Sequence, residues 1–228
     1  WTLMAAPPVK LTPVLATVED LTAEIQSLLT SIEEGLLSTE SYRDRQQQMK
    51  RQAVQIAIFS QALADYEGEH SLKKTAPDIR DAALAVVKAG SMKESAEQVA
   101  VIKQGLEGTT AGTAVREFDW TRLARSGAMM GAMKERSEAI RRGLRRPKDP
   151  AAESRQPLAI ALMALVLHGD THAVKDPSDK PAWQEACLEL QGHMSRAAAA
   201  IKSRDGSAVD HFRMGMEACD KCHQKFKP

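Results

Sequence analysis

Apolar residues recur at three- and four-residue steps along nearly all of this chain. Nowhere do they alternate with polar residues over the length of a strand. That period is the repeat of an α-helix, so the chain is expected to be all-α. Ala, Leu, Gln, Glu and Lys dominate and favour helix, while aromatic residues reach only 4%, leaving aliphatic side chains to fill the core.

Proline and glycine divide the pattern. Residues 1–16 carry Pro7, Pro8 and Pro13 and read as an extended arm. Four helices are expected at about 18–37, 41–66, 77–89 and 92–106, and four more at about 119–145, 153–172, 181–203 and 207–226. Gly90 reads as a C-cap of the third helix, and Ser91 with Glu94 has capping-box spacing at the start of the fourth. Between the two sets lies the Gly/Thr-rich stretch Gly105 to Thr113. The expected organisation is therefore an arm at 1–16, a first domain at 17–108, a linker at 109–117 and a second domain at 118–228.

The two sets echo each other. Arg51 to Phe59 (RQAVQIAIF) reads against Arg155 to Met163 (RQPLAIALM), each within the second helix of its set. The matching order favours a duplication, and with it two four-helix bundles in tandem.

The chemistry lies near the C-terminus, in Cys219-Asp220-Lys221-Cys222-His223. This is the C-x-x-C-H haem-attachment signature. Two thiols add to the two porphyrin vinyl groups, and the adjacent imidazole reaches the iron. Val209, Phe212, Met216, Cys219, His223 and Phe226 share one helical face, which is expected to look inward with Cys222 alongside. A thioredoxin-like redox pair would follow a strand, and none is visible. A zinc site would need two more ligands, and Cys187 with His193 does not have the usual close spacing.

A C-x-x-C-H motif on the last helix of a four-helix bundle resembles cytochrome c′ and its methionine-ligated relatives. The resemblance covers residues 118–228 and, through the repeat, 18–106 more loosely. It implies one covalent haem c held by the Cys219 and Cys222 thioethers, with His223 as the proximal iron ligand. It further implies a periplasmic location, any leader having been removed. The sixth iron position would face the first helix of the second bundle, whose expected apolar stripe is Leu123, Met130, Met133, Ile140 and Leu144. Periodicity points to Met130 as distal ligand. Relatives often place an arginine four residues before the ligand, and Arg125 would then select Met129. Met133 follows, and His168 or His172 are histidine alternatives. A methionine ligand suits outer-sphere electron transfer, whereas an open sixth position would favour a small gas such as nitric oxide or carbon monoxide.

Other features narrow the reading. Thirty-one Lys+Arg against thirty Asp+Glu give a formal charge of +1, with no aromatic-interleaved basic stripe, so no nucleic-acid partner is expected. The longest apolar run, Leu158 to Leu167, is too short to span a bilayer. Lys221, Lys225 and Lys227 surround the motif and read as a rim that could steer a redox protein partner. The Arg141, Arg142, Arg145, Arg146 and Lys148 cluster complements a helix C-terminus. Cys187 reads as a buried, inert thiol beside Trp183 and Leu190. In the first half, Arg45 and Met49 have the Arg-x-x-x-Met spacing of the relatives, on what reads as surface helix. Relatives pair through bundle faces, so a homodimer is a further expectation unless the duplication satisfies that pairing within one chain. No nucleophile–base pair or phosphate loop points to an enzyme. The expected role is a single-electron carrier between redox proteins, with a gas-binding haem protein or a haem subunit of a larger respiratory assembly as alternatives.

Overall fold

The structure is a computed structural model that describes residues 16–115, 117–123 and 126–226, excepting the Ser126 side chain. Of the expected arm at 1–16, only Ala16 lies among the described residues. The regular elements described are all helical: α1 (Val18–Gly35), α2 (Thr39–Ala64), α3 (Ala76–Lys88), α4 (Met92–Leu106), α5 (Ser126–Arg145), α6 (Pro150–Gly169), α7 (Lys180–Ser203) and α8 (Ala208–Phe226), with 3-10 turns at Trp120–Leu123 and Pro177–Asp179. The chain divides into two compact units, Trp1–Ala132 and Met133–Pro228.

Caps explain where the helices begin. The Thr17 hydroxyl accepts from Asp20 N–H, Ser38 from Ser41 N–H and Ser91 from Glu94 N–H. Asp149 accepts from the amides of Ala151 and Ala152, with Pro150 in the first turn, which starts α6 three residues before the expected Glu153. Gly90 does not serve as a left-handed C-cap. Ala89 is the C-cap of α3, and Gly90 N–H donates to Glu94 Oε2 at 2.8 Å. The one left-handed residue other than glycine among the described residues is Arg204, which ends α7.

In the first unit α1 packs on α2, α2 on α3, α3 on α4 and α4 against α1. From Gln52 to Ala64 every residue of α2 is buried, which is the fate of a helix apolar on all faces. Met49 is buried too, against Gly35, so the expected surface reading fails there, while Arg45 pairs with Glu34 at 3.1 Å on the exterior. Helices α3 and α4 approach closely at Gly105, where an added Cβ would stand 2.3 Å from Ile79 Cγ1. Beside it the Thr75 hydroxyl donates to the Gly105 carbonyl at 2.7 Å. Gly105→Ala is expected to cost about 1–3 kcal/mol by overpacking. A lower urea midpoint for the full chain is the reading that checks it, and an unchanged midpoint would contradict the packing described.

The stretch expected as a linker is strapped to α3. Gly112 and Ala114 N–H donate to the two Asp78 carboxylate oxygens at 2.8 and 3.0 Å. Burial pushes the Asp78 carboxyl up, but the neighbouring Thr110 hydroxyl and the Ala114, Gly112 and Thr113 amides outweigh it and hold the group below its ordinary value. Arg80, 1% exposed, donates to Gln61 Oε1 at 2.7 Å and to the Val115 carbonyl at 2.9 Å, with Phe118 4.1 Å from its guanidinium carbon. The network continues from Gln61 to Asp65, which also accepts from the Trp120 indole N–H at 2.8 Å.

In the second unit α7 packs on both α6 and α8. The second half of α5 joins them: Arg136 donates to Gln156 of α6 at 3.0 Å, and Arg141 lies over the Phe212 ring of α8. Almost every residue from Pro157 to Leu167 is buried, so this apolar run is core helix. No helix among the described residues is long and apolar enough to cross a membrane.

Candidate functional site

The site is built on the α7–α8 hairpin, and contacts along it fix how the two helices face each other. Trp183 anchors one end: its indole N–H donates to the Leu167 carbonyl at 2.7 Å. Its ring meets Phe226 edge-on, with centroids 5.2 Å apart at 89°. Further along, Lys221 pairs with Glu189 at 3.4 Å. Near the other end Gly215 lets the helices close up, since a Cβ there would stand 2.7 Å from Met194 Cε. The helices therefore run antiparallel in a fixed register.

The close approach at Gly215 also sets which face of α8 looks inward. Ala208, Phe212, Gly215 and Ala218 are buried, and Cys219 and Cys222 extend that stripe half-buried. The expected face is rotated. Val209 is 55% exposed, Met216 only half-buried, and His223 exposed. The physical reason is that small residues, not large ones, permit the tight helix contact, so Gly215 and Ala218 take the inner positions. Cys219 thus lies at the edge of the core, while His223 turns outward one position beyond Cys222.

All three cysteines are free thiols. Burial pushes Cys187 up to about 12, helped by nearby Cys222 and then Cys219. Burial, followed by Cys222 and Asp220, raises Cys219 to about 11, and burial raises Cys222. A thioredoxin-like pair needs the opposite, a thiol lowered at a helix N-terminus. Here the motif occupies the last two turns of α8, where the helix dipole disfavours a thiolate. No set of three or more His, Cys, Asp or Glu side chains among the described residues converges to hold a metal ion.

The donor set suits covalent haem. Two thiols three residues apart stand on one side of a helix, uncommitted to any disulfide, and none of the described residues hydrogen-bonds or ion-pairs with the His223 imidazole. Haem attachment asks for these three groups in this order.

No family model, curated protein or solved structure compared with this chain matches it.

The distal candidates lie on α5. Met129 is fully buried and Met133 nearly so, whereas Met130 and Leu144 are half-buried. The buried stripe runs Met129, Ala132, Met133, Arg136, Ser137 and Ile140. The expected stripe took its phase from Leu123, but Leu123 belongs to the separate 3-10 turn, so the phase does not carry through. Arg125 lies outside the described residues. Of the histidine alternatives, burial lowers the pKa of half-buried His168, and His172 hydrogen-bonds Asp170 just past the end of α6.

The lysine rim is partly neutralised. Lys221 pairs with Glu189, and Lys225 pairs with Asp179 at 2.7 Å, while Lys227 lies outside the described residues. The residue whose position sequence reasoning missed is Cys187. It is buried on α7 as expected, but it stands beside the motif. The signal was present in the four-residue connection, Arg204 to Ser207, which ties the register of the two helices.

Proposed function

We propose that this chain is a monohaem c-type cytochrome that carries single electrons between redox proteins. The observation behind it is the uncommitted thiol–thiol–imidazole set in the last two turns of the terminal helix. The Cys219 and Cys222 thiols would hold the haem as thioethers, and the His223 imidazole would supply a nitrogen ligand to its iron. The bound haem would contribute a one-electron iron couple. The rest of the chain would position the haem and set the polarity around it.

The architecture proposed with this function is two four-helix bundles in tandem, related by duplication. It draws support from the helix circuit of the first unit and from the α2 and α6 segments that echo in sequence. All three cysteines fall in the second unit, so the first bundle would be a haem-free scaffold or docking surface. An extracytoplasmic location follows from the resemblance to cytochrome c′.

A thioether would supply a further iron ligand, Met130 first, then Met129, then Met133. An absorption spectrum of the reduced protein, with and without carbon monoxide, tests this. Sharp α and β bands unmoved by carbon monoxide are expected, and alanine at the ligating methionine alone should open the iron to the gas. A broad high-spin spectrum that shifts with carbon monoxide in the unmutated protein would overturn the electron-carrier reading in favour of gas binding.

A further inference from the structure

The α7–α8 register brings a third thiol into play. Starting from the Trp183–Phe226 contact, one turn forward along α7 and one turn back along α8 reaches Cys187 and Cys222. Starting from Met194 and Gly215 at the other end, seven residues back along α7 and seven forward along α8 reach the same pair. Two independent contacts therefore place Cys187 across from Cys222, while Cys219 falls opposite Leu190. Cys187 is 5% exposed and lies on the inner face of α7 with Trp183, Leu190 and Met194. A disulfide between neighbouring helices needs side chains that face each other in this way.

We propose that Cys187 and Cys222 form a disulfide in the haem-free chain, and that this bridge must be reduced before haem can be attached through both motif thiols. The bridge rests on the register alone. Its role as a gate rests also on the haem reading above.

The step balances with a small-molecule disulfide as oxidant. Cys222, the more exposed of the two, attacks it and forms a mixed disulfide, releasing one thiol. The Cys187 sulfur then displaces the second thiol and closes the intramolecular bond. The two cysteines together lose two electrons and two protons, and the oxidant is reduced to two thiols. In reverse, a dithiol reductant restores both side chains, and only then does Cys222 have the S–H that adds to a vinyl group. With Cys222 bridged, Cys219 alone would offer a thiol, and the motif could make at most one thioether.

The test uses the full-length chain made without haem. It is equilibrated with oxidised glutathione, alkylated in acid, digested without reductant and read by mass spectrometry. The expected product joins the Cys187 and Cys222 peptides and leaves Cys219 alkylated. A dominant Cys219–Cys222 or Cys187–Cys219 bridge, or three alkylated cysteines, would overturn the proposal. The gate is read separately, as haem incorporated per chain in a reconstituted attachment reaction. The oxidised unmutated chain should form at least tenfold less haem held by two thioethers, told from singly held haem by the α-band position, than the same chain pre-treated with dithiothreitol. Cys187→Ser should load equally with or without that treatment. Equal loading of the oxidised and reduced unmutated chains would sink the gate. Failure of every form to load, reduced chain and Cys187→Ser included, would instead count against the haem reading and leave the peptide map to judge the bridge.

Discussion

Replacing Cys219 and Cys222 together by alanine is expected to abolish covalent haem. The chain should still fold, because neither thiol carries a hydrogen bond or disulfide that the helix needs, and burial of the α8 face rests on Phe212, Gly215 and Ala218. Single variants separate the two sulfurs. With Cys219→Ala or Cys222→Ala, one thioether remains and the pigment stays bound, but a vinyl group survives, extends the porphyrin conjugation and moves the α band to longer wavelength. His223→Ala keeps both thioethers and removes the imidazole, so its haem should stay attached and lose its low-spin spectrum. The readout is absorbance that follows the unfolded chain through acidified organic solvent. If the double alanine variant retains haem in that solvent, the attachment lies elsewhere.

Arg80→Ala is expected to lower the stability of the first unit markedly. The guanidinium is 1% exposed and serves Gln61, Asp81 and the Val115 carbonyl at once, with Phe118 against its face. Removing it takes a charged donor from Gln61 Oε1 and from the Val115 carbonyl, leaving Asp78 to hold the strap to α3. Each hydrogen bond lost from a charged donor of this kind costs about 1.5–3 kcal/mol. Arg80→Lys keeps the charge but cannot span three acceptors, so it should fall between the two. Urea unfolding of the full chain, followed by circular dichroism and by tryptophan fluorescence, checks this. Trp120 reports on the network directly, since its indole donates to Asp65. An Arg80→Ala midpoint indistinguishable from that of the unmutated chain would contradict the structural role given to this network.

Much of the helix layout was legible because helices punctuate themselves. The interiors of all eight helices fall within the ranges that periodicity and the Pro/Gly breaks suggested, and most misses sit at caps; α5, which starts at Ser126 and not at 119, is the exception. Ser38 and Asp149 start α2 and α6 earlier than the apolar pattern does, since a capped first turn needs no apolar residue. The strap at 109–118 was not legible: glycine and threonine mark a turn, but nothing local says that Asp78 and Arg80 will bind it. Arg80 itself reads as an ordinary surface residue in an Ala/Val helix.

The motif at Cys219, Cys222 and His223 was evident from spacing, but the direction each side chain takes was not. Periodicity assigns faces by the largest apolar residues, and α8 packs by its smallest. Gly215 reverses the expectation because Met194 fills the space its missing side chain leaves. The same blindness applied to α5, where the 3-10 turn at Trp120–Leu123 broke the phase and exchanged Met130 for Met129 on the buried stripe. Cys187 was seen as buried, but its partner across the helix pair depends on register, which only the hairpin geometry supplies.

The most direct measurement is the intact mass of the full chain after production with a working haem-attachment system and unfolding in acidified organic solvent. The account predicts a mass raised by one haem, with visible absorbance staying on the polypeptide. A chain at its unmodified mass, with the pigment left in the solvent or never acquired, would contradict it.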